Sequence, residues 1–175
     1  QAVRHALKSI GHLLTRYFFG VAGQLTEIFI LVTAGMFIVG LSFKQSLLIG
    51  LIAGMFNIVP YLGPLIGSTL GIIMGLAFHT DLPPENLLPT MGYMVVLFIV
   101  VHLIDNFLYQ PFVFSASVNA HPLEIFLVIL MAASIAGITG MILAIPAYTI
   151  LRVFAKEFFN NFRVVKKLTK KIEDG

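Results

Sequence analysis

The chain of 175 residues has no cysteine and few charged residues. Without cysteine it can form no disulfide, no thiolate metal site and no thiol nucleophile, and redox usage does not indicate its cellular compartment. Asp, Glu, Lys and Arg make up only 11% of the residues, against about 25% in a typical soluble domain. Hydrophobic residues make up 58%, and the mean hydropathy is +0.97. This composition excludes an ordinary water-soluble fold and predicts an all-α, polytopic membrane protein.

Motifs that would indicate enzymatic chemistry are also missing. The sequence has no Walker motif for nucleotide phosphates and no His-Glu-x-x-His zinc motif, and its serines lie in no nucleophile-elbow pattern. The formal net charge of +3 does not indicate a nucleic-acid partner, because the basic residues flank the apolar runs as the positive-inside rule requires. We therefore expect no enzyme activity, no metal, no cofactor and no nucleic acid.

What the sequence does have is long runs without Asp, Glu, Lys or Arg. They cover residues 28–43, 45–80, 86–104 and 125–151. A helix needs about 20 apolar residues to cross the hydrocarbon core. We expect a transmembrane domain over 21–154, a basic amphipathic helix at the membrane interface over 1–20, and a basic cytoplasmic tail over 155–175. The alternative for 1–20 is a helix packed on a soluble domain outside this sequence.

The first predicted span covers residues 24–43. Glu27 lies near its start, where we expect water to solvate it, and Lys44 and Gln45 are expected to form a short turn after it. The next segment, 46–78, would be about 50 Å long as one straight helix, which is too long for a single span, yet two full spans would need about 40 residues.

The middle of that segment contains Asn57, Pro60 and Pro64. Proline removes a backbone donor and clashes with the preceding turn, so the helix should stop there. We predict two short helices joined by a turn, a re-entrant hairpin with its tip inside the membrane. Irregular backbone is tolerated at that depth only where protein or a water-filled cavity satisfies it.

The second half repeats this organisation. A polar loop over 79–90 precedes a second span over 91–109, and residues 123–151 are again too long for one span and too short for two. Their predicted interruption contains Gly137 and Gly140. A first repeat over 24–78 and a second over 91–151 would have opposite orientations, as in the inverted repeats of secondary transporters. Four simple kinked spans are the alternative; both arrangements leave the two chain ends cytoplasmic.

The first break offers candidate ligands for a polar cargo. Asn57 provides an amide, Tyr61 a hydroxyl, and Gly63 allows close backbone approach. The alternative is that Asn57 merely caps the turn. Small residues at every fourth position, such as Gly63, Gly67, Gly71 and Gly75, are more typical of helix packing than of ligand contact.

The second span carries a polar stripe. His102, Asp105, Asn106 and Tyr109 are spaced so that one helical face presents all four. Ionisable groups inside a membrane are costly and are functional candidates by default, so Asp105 with His102 could hold a proton or a sodium ion. An interfacial cap or a subunit contact is the alternative.

A third group opens the last segment. His121 could titrate near neutral pH. However, His121, Pro122 and Glu124 are also a typical helix start, with Pro in the first turn and an acid that complements the helix dipole.

Four stretches carry a resemblance to a known family. They are "GLIAGMFNIVPYLGPLIG" (50–67), "DNFLYQP" (105–111), "HPL" (121–123) and "GITGMILAIP" (137–146). In this order they resemble the autoinducer-2 exporter family of bacterial membrane transporters, over nearly the whole chain beyond about residue 10. The motif residues that match are Asn57, Pro60, Tyr61, Gly63, Pro64, Asp105, Asn106, Gln110, Pro111, His121 and Pro122, with Pro146 closing the last stretch.

This resemblance implies secondary transport in a bacterial inner membrane. Family members are typically about twice this length, and the family includes proteins associated with autoinducer-2 export and others that behave as sodium(lithium)/proton antiporters. It also implies homo-oligomers. We expect an exporter of a small polar metabolite, with Asn57 and Tyr61 facing the cargo and Asp105 carrying or gating a coupled cation. A cation/proton antiporter and a non-transporting membrane scaffold are the alternatives.

Overall fold

The computed structural model describes the backbone of residues 2–80, 82–109 and 121–173, and in these ranges all regular structure is helical. The helices are α1 (Ala2–Val39), α2 (Phe43–Phe56), α3 (Leu62–Phe78), α4 (Pro84–Ile104), which continues into a π-helical turn (Asp105–Tyr109), and α5 (Pro122–Glu173).

Three of these helices are long and apolar enough to cross a membrane. By length and composition the candidate spans are Ile10–Val39, Pro84–Tyr109 and Leu123–Ala155, of which the last is interrupted at Ala136 and Gly137, and α2 and α3 are shorter apolar helices. The all-α, polytopic membrane architecture expected from composition is therefore confirmed. The placement of the hairpin tips in the bilayer and the inverted repeat stay predictions.

Helix α1 runs without a break through residue 20, so the predicted interfacial helix and the first span form one 38-residue helix. The turn after it lies at Gly40–Ser42, and the predicted turn at Lys44 and Gln45 was wrong. Gly40 has a φ of +114°, which glycine adopts readily. Ser42 then caps α2: its Oγ accepts from the Gln45 N–H, and the Gln45 side chain accepts from the Ser42 N–H at 3.0 Å. This capping box starts the helix one turn earlier than expected.

Helix α4 also begins earlier than the polar loop over 79–90 suggested. Pro83 is the N-cap, Pro84 is the first helical residue, and Glu85 lies in the first turn. Proline suits that position because its φ is already helical and its missing N–H has no partner there. The loop therefore ends at Pro83, and the second span includes residues that were expected outside it.

Phe18–Ser115 form one compact unit, the core unit. Its apolar centre is made by side chains of α1, α2 and α4 that are almost completely buried, namely Ile28, Val32, Met36, Ile49, Ala53, Met94, Phe98 and Val101. Helix α3 packs through its buried glycines: a Cβ at Gly67 would lie 3.3 Å from the Ala53 backbone, and one at Gly75 would lie 2.7 Å from the Met94 sulfur. The stripe of small residues thus allows close helix packing.

The hairpin unit comprises Gln1–Tyr17 and Ala116–Gly175. Within it α5 is broken where the sequence predicted, because Ala136 and Gly137 leave helical geometry, and Gly137 has a φ of +59° and a ψ of −138°. The chain reverses there. Gly140 lies against the Ala132 carbonyl, and the Tyr148 hydroxyl donates to Glu124 Oε2 at 2.8 Å across the two arms. The second broken segment is therefore an antiparallel helical hairpin, whose second arm continues as helix to Glu173.

Candidate functional site

Among the described residues of the core unit, Asp105 is the most deeply buried ionisable side chain, with 1% of its surface exposed. The side-chain amide of Gln24 in α1 donates to its Oδ1 at 2.8 Å, across 81 residues of sequence. Gln24 is itself only 6% exposed. A hydrogen bond to an ionised carboxylate is stronger than one between neutral groups, so this contact ties α1 to the end of α4.

The backbone widens at the same place. Asp105 is the first residue of the π-helical turn, and such turns are frequent at functional sites. At the other end of the turn the Tyr109 ring faces α1, because a Cβ at Gly23 would lie 3.5 Å from it. The turn of α1 that contains Gly23 and Gln24 is therefore covered by the turn that contains Asp105 and Tyr109.

Glu27 lies one helical turn after Gln24 on α1, on the same side of the helix. Its Oε2 is buried and has no hydrogen-bond partner, and the carboxylate is within electrostatic range of Asp105. The residue as a whole is half-buried, so the expectation that water at the interface solvates Glu27 stays a prediction.

Asn57 ends α2 and is 4% exposed. Its backbone N–H bonds to the carbonyls of Ala53 and Gly54, at 3.2 and 3.0 Å. The cap is thus made by the backbone, while the side-chain Oδ1 is buried with no hydrogen-bond partner. A buried carbonyl left in this state costs free energy, and it is a ready acceptor for a polar ligand.

The rest of the break is a tight reversal around Pro60. Tyr61 has a φ of +67°, which is unusual for a side chain of its size, and the residue is exposed. Gly63 lies on the backbone of Phe56 and Asn57, where a Cβ would come within 2.7 Å of the Asn57 Cα. The predicted break between α2 and α3 is confirmed, and Gly63 is required by packing at its tip.

Three polar segments of the core unit converge at this break. Gly54 packs on the Leu25 carbonyl, where a Cβ would be 3.0 Å away, so the end of α2 lies beside the polar turn of α1. The Pro64 carbonyl lies beside the His102 ring but outside hydrogen-bonding geometry, and neither ring nitrogen has a partner. The resulting set is called the polar cluster: Gln24, Glu27, Asn57, His102 and Asp105.

A groove opens beside the polar cluster between α3 and α4. It has a volume of about 320 Å³ and is mostly apolar, with Ser68, His102 and Asn106 as its polar lining residues. Asn106 is exposed. The groove is therefore a route by which a small molecule could reach the His102 edge of the polar cluster.

The remaining predicted residues lie elsewhere. Gln110 and Pro111 are outside the described residues. Gly137 is exposed at the tip of the second hairpin, while Gly140 and Pro146 are buried between its arms. His121 precedes α5: its Nδ1 accepts from the Leu123 N–H at 3.3 Å, and its carbonyl accepts from Glu124 at 2.9 Å. Pro122 is the first helical residue, so these two residues form a helix start.

Two members of the polar cluster, Gln24 and Glu27, were missed as site residues. A signal for Gln24 was available, because it continues the buried every-fourth-residue stripe of Ile28, Val32 and Met36. A polar residue on an otherwise apolar, core-facing stripe needs a partner, and that partner is Asp105.

Comparison with known proteins shows that the chain is similar to a family of transporters and to individual transport proteins. The family described as "AI-2E family transporter" matches residues 1–160. "Putative transport protein YueF" of Bacillus subtilis (strain 168) is 33% identical over 162 residues, which are 91% of this chain and 40% of that protein. "Putative transport protein YrrI" of the same strain is 32% identical over 139 residues, covering 79% and 37%. "Putative transport protein MT0215" of Mycobacterium tuberculosis (strain CDC 1551 / Oshkosh) is 28% identical over 133 residues, covering 74% and 31%.

The chain therefore spans 31 to 40% of the length of these relatives. No solved structure matches it.

Proposed function

The chain belongs to the AI-2E transporter family, and from that premise we propose that it carries the solute site of a secondary transporter that exports a small polar metabolite such as autoinducer-2. The observation that carries the proposal is the buried Asp105, held by Gln24 at 2.8 Å inside an apolar unit. Removing a carboxylate from water costs several kcal/mol, so groups of this kind inside a membrane domain are functional by default.

The donors and acceptors of the polar cluster suit such a cargo. Asn57 Oδ1 and Glu27 Oε2 are buried acceptors without a partner, and both nitrogens of His102 are likewise unsatisfied. A small molecule with several hydroxyl groups could satisfy these atoms together, and the broken hairpin supplies irregular backbone next to them. This combination of an interrupted helix and buried polar groups is typical of transporter sites.

A second candidate function is sodium(lithium)/proton antiport. Glu27 and Asp105 place two carboxylates in one region, and residues 18–115 contain one lysine, Lys44, and no arginine. Carboxylate and carbonyl oxygens are suitable ligands for hard cations, and a proton competes with a cation for the same oxygens. In both candidates Asp105 is the coupling residue.

The test is flux through the full-length protein reconstituted in liposomes. Asp105→Asn should abolish solute movement driven by an imposed proton or sodium gradient, whereas Glu85→Gln, a matched change at an exposed carboxylate of the same unit, should leave it intact. Antiport would be favoured if the parent protein shows sodium-dependent proton flux but no solute flux, and Asp105→Asn loses that proton flux. Undiminished flux of both kinds in Asp105→Asn would refute the proposal, and altered assembly without a flux change would favour a scaffold.

A further inference from the structure

Glu27, which is half-buried, and Asp105, which is buried, come from different helices of the core unit and lie within electrostatic range of each other. The hydrogen bond from Gln24 Nε2 to Asp105 Oδ1, 2.8 Å long, holds this turn of α1 beside the end of α4. Because Glu27 follows Gln24 by one helical turn, its carboxylate is held on the same side of α1. Its Oε2 is buried and has no hydrogen-bond partner.

Among the described residues of the core unit, α2, α3 and α4 bring no lysine or arginine close to this pair. Helix α3 has no charged residue. The only basic residue of α2 is Lys44, which is exposed in the first turn, about 15 Å of helix from Gly54, the residue that packs beside Leu25. The acidic residue of α4, Glu85, lies at the opposite end of that helix from Asp105.

In the described part of α4 and its π-helical turn, the titratable groups near the pair are His102, which is within electrostatic range of Asp105, and Tyr109. An imidazolium would need partners for two N–H donors, and neither nitrogen of His102 has one. Tyr109 contributes its ring edge against Gly23. Neither residue therefore supplies the positive charge that two ionised carboxylates would need.

Two carboxylates that share an apolar site do not both ionise; they titrate as a coupled pair. The amide donor from Gln24 stabilises the ionised form of Asp105, while Glu27 Oε2 has no donor of that kind. We propose that Glu27 and Asp105 share one proton, which Glu27 carries, and that Gln24 is the residue that positions the ionised Asp105. Release of this proton leaves two facing carboxylates, which is the state that would attract a cation or a donor-rich solute.

The proton can be observed directly by infrared spectroscopy of the purified full-length protein at neutral pH. A protonated carboxylic acid has a carbonyl band that an ionised carboxylate lacks. The band should be present in the parent protein and in Glu85→Gln, and absent in Glu27→Gln. In Asp105→Asn it should be weaker than in the parent, because Glu27 ionises more readily once the neighbouring charge is gone. Glu27→Asp, which keeps an acid on a shorter side chain, should retain a shifted band and serves if the glutamine variant does not accumulate.

Two results would overturn the inference. A band that survives unchanged in Glu27→Gln would place the proton elsewhere, and a band identical in Asp105→Asn and the parent would show that the two acids do not interact. The role of the pair in coupling rests on the proposed function. In liposomes Glu27→Gln should lose gradient-driven accumulation of solute while keeping downhill exchange. Undiminished transport in Asp105→Asn would refute the proposed function but would leave the assignment of the infrared band to Glu27 intact. The failure of the proposed function is therefore distinguishable from the failure of the shared proton.

Discussion

Replacing Gly63 with alanine should force the α2–α3 hairpin apart at its tip. The added Cβ would meet the Phe56 carbonyl and would lie 2.7 Å from both the Phe56 carbonyl carbon and the Asn57 Cα. All three are backbone atoms, so no side-chain rotation can relieve the clash. Overpacking a tight site costs about 1–3 kcal/mol, and we expect the upper end here because the two helices themselves must separate.

The chain offers matched controls for this change. At Gly67 the nearest atoms to a new Cβ are 3.3 Å away on Ala53, so a small backbone adjustment costing about 1 kcal/mol suffices. The gain in helix propensity inside α3 offsets that cost, and Gly67→Ala should be close to neutral. At Gly92 nothing lies within 4 Å, and Gly92→Ala should stabilise α4 by about 0.5–1 kcal/mol through helix propensity.

The assay is thermal unfolding of the purified protein in detergent, followed by circular dichroism. For a chain of this size 1 kcal/mol shifts the Tm by about 2–4 °C, so Gly63→Ala should lower it by about 6–12 °C. Gly92→Ala should have the highest Tm, the parent protein and Gly67→Ala should lie close together, and Gly63→Ala should have the lowest Tm. Equal Tm values for the Gly63 and Gly92 variants would refute the close backbone contact at the hairpin tip.

Two further predictions use the same assay. Gln24→Leu should destabilise the core unit by about 1.5–3 kcal/mol, which is the usual contribution of a hydrogen bond to a charged group. The control Thr26→Val removes an exposed hydroxyl bonded to its own helix and should change stability by less than about 0.5 kcal/mol. Similar effects of both changes would contradict the buried Gln24–Asp105 contact. Gly137→Ala should cost about 1–3 kcal/mol through backbone strain alone, because its φ of +59° disfavours any side chain although open space surrounds it. The control is Gly11→Ala, where nothing lies within 4 Å of the new Cβ and the backbone is helical. A cost at Gly137 no larger than at Gly11 would argue against the sharp reversal at Ala136 and Gly137.

Properties that depend on neighbours in sequence were predictable. The charge-free runs predicted the apolar helices, because hydrocarbon accepts only stretches of backbone that satisfy their own hydrogen bonds. Pro60 and Pro64 predicted the first break, because a missing N–H and a fixed φ act within one turn. The capping box that begins at Ser42 depends on an equally local pattern, and it explains why the predicted turn at Lys44 and Gln45 is wrong.

The candidate site could be predicted only in part. The face of α4 that carries His102 and Asp105 follows from helical spacing, but the partner of Asp105 lies 81 residues away in α1. Nothing in a helical period specifies which turn of one helix meets which turn of another, because that register comes from packing. Here the contact at Gly54 sets α2 against Leu25 of α1, and the contact at Gly71 sets α3 against Phe98 of α4.

The sequence alone was thus sufficient to predict that the chain lies in a membrane, which segments are helical and where the helices are interrupted. Each of these is a property of a short segment in lipid. Folding in three dimensions was needed to bury Glu27 Oε2, to give Asp105 an amide partner and to leave Asn57 Oδ1 buried and unsatisfied at the end of α2. The physical reason is that burial and hydrogen bonding between distant segments depend on interhelical distances, which local propensities do not contain.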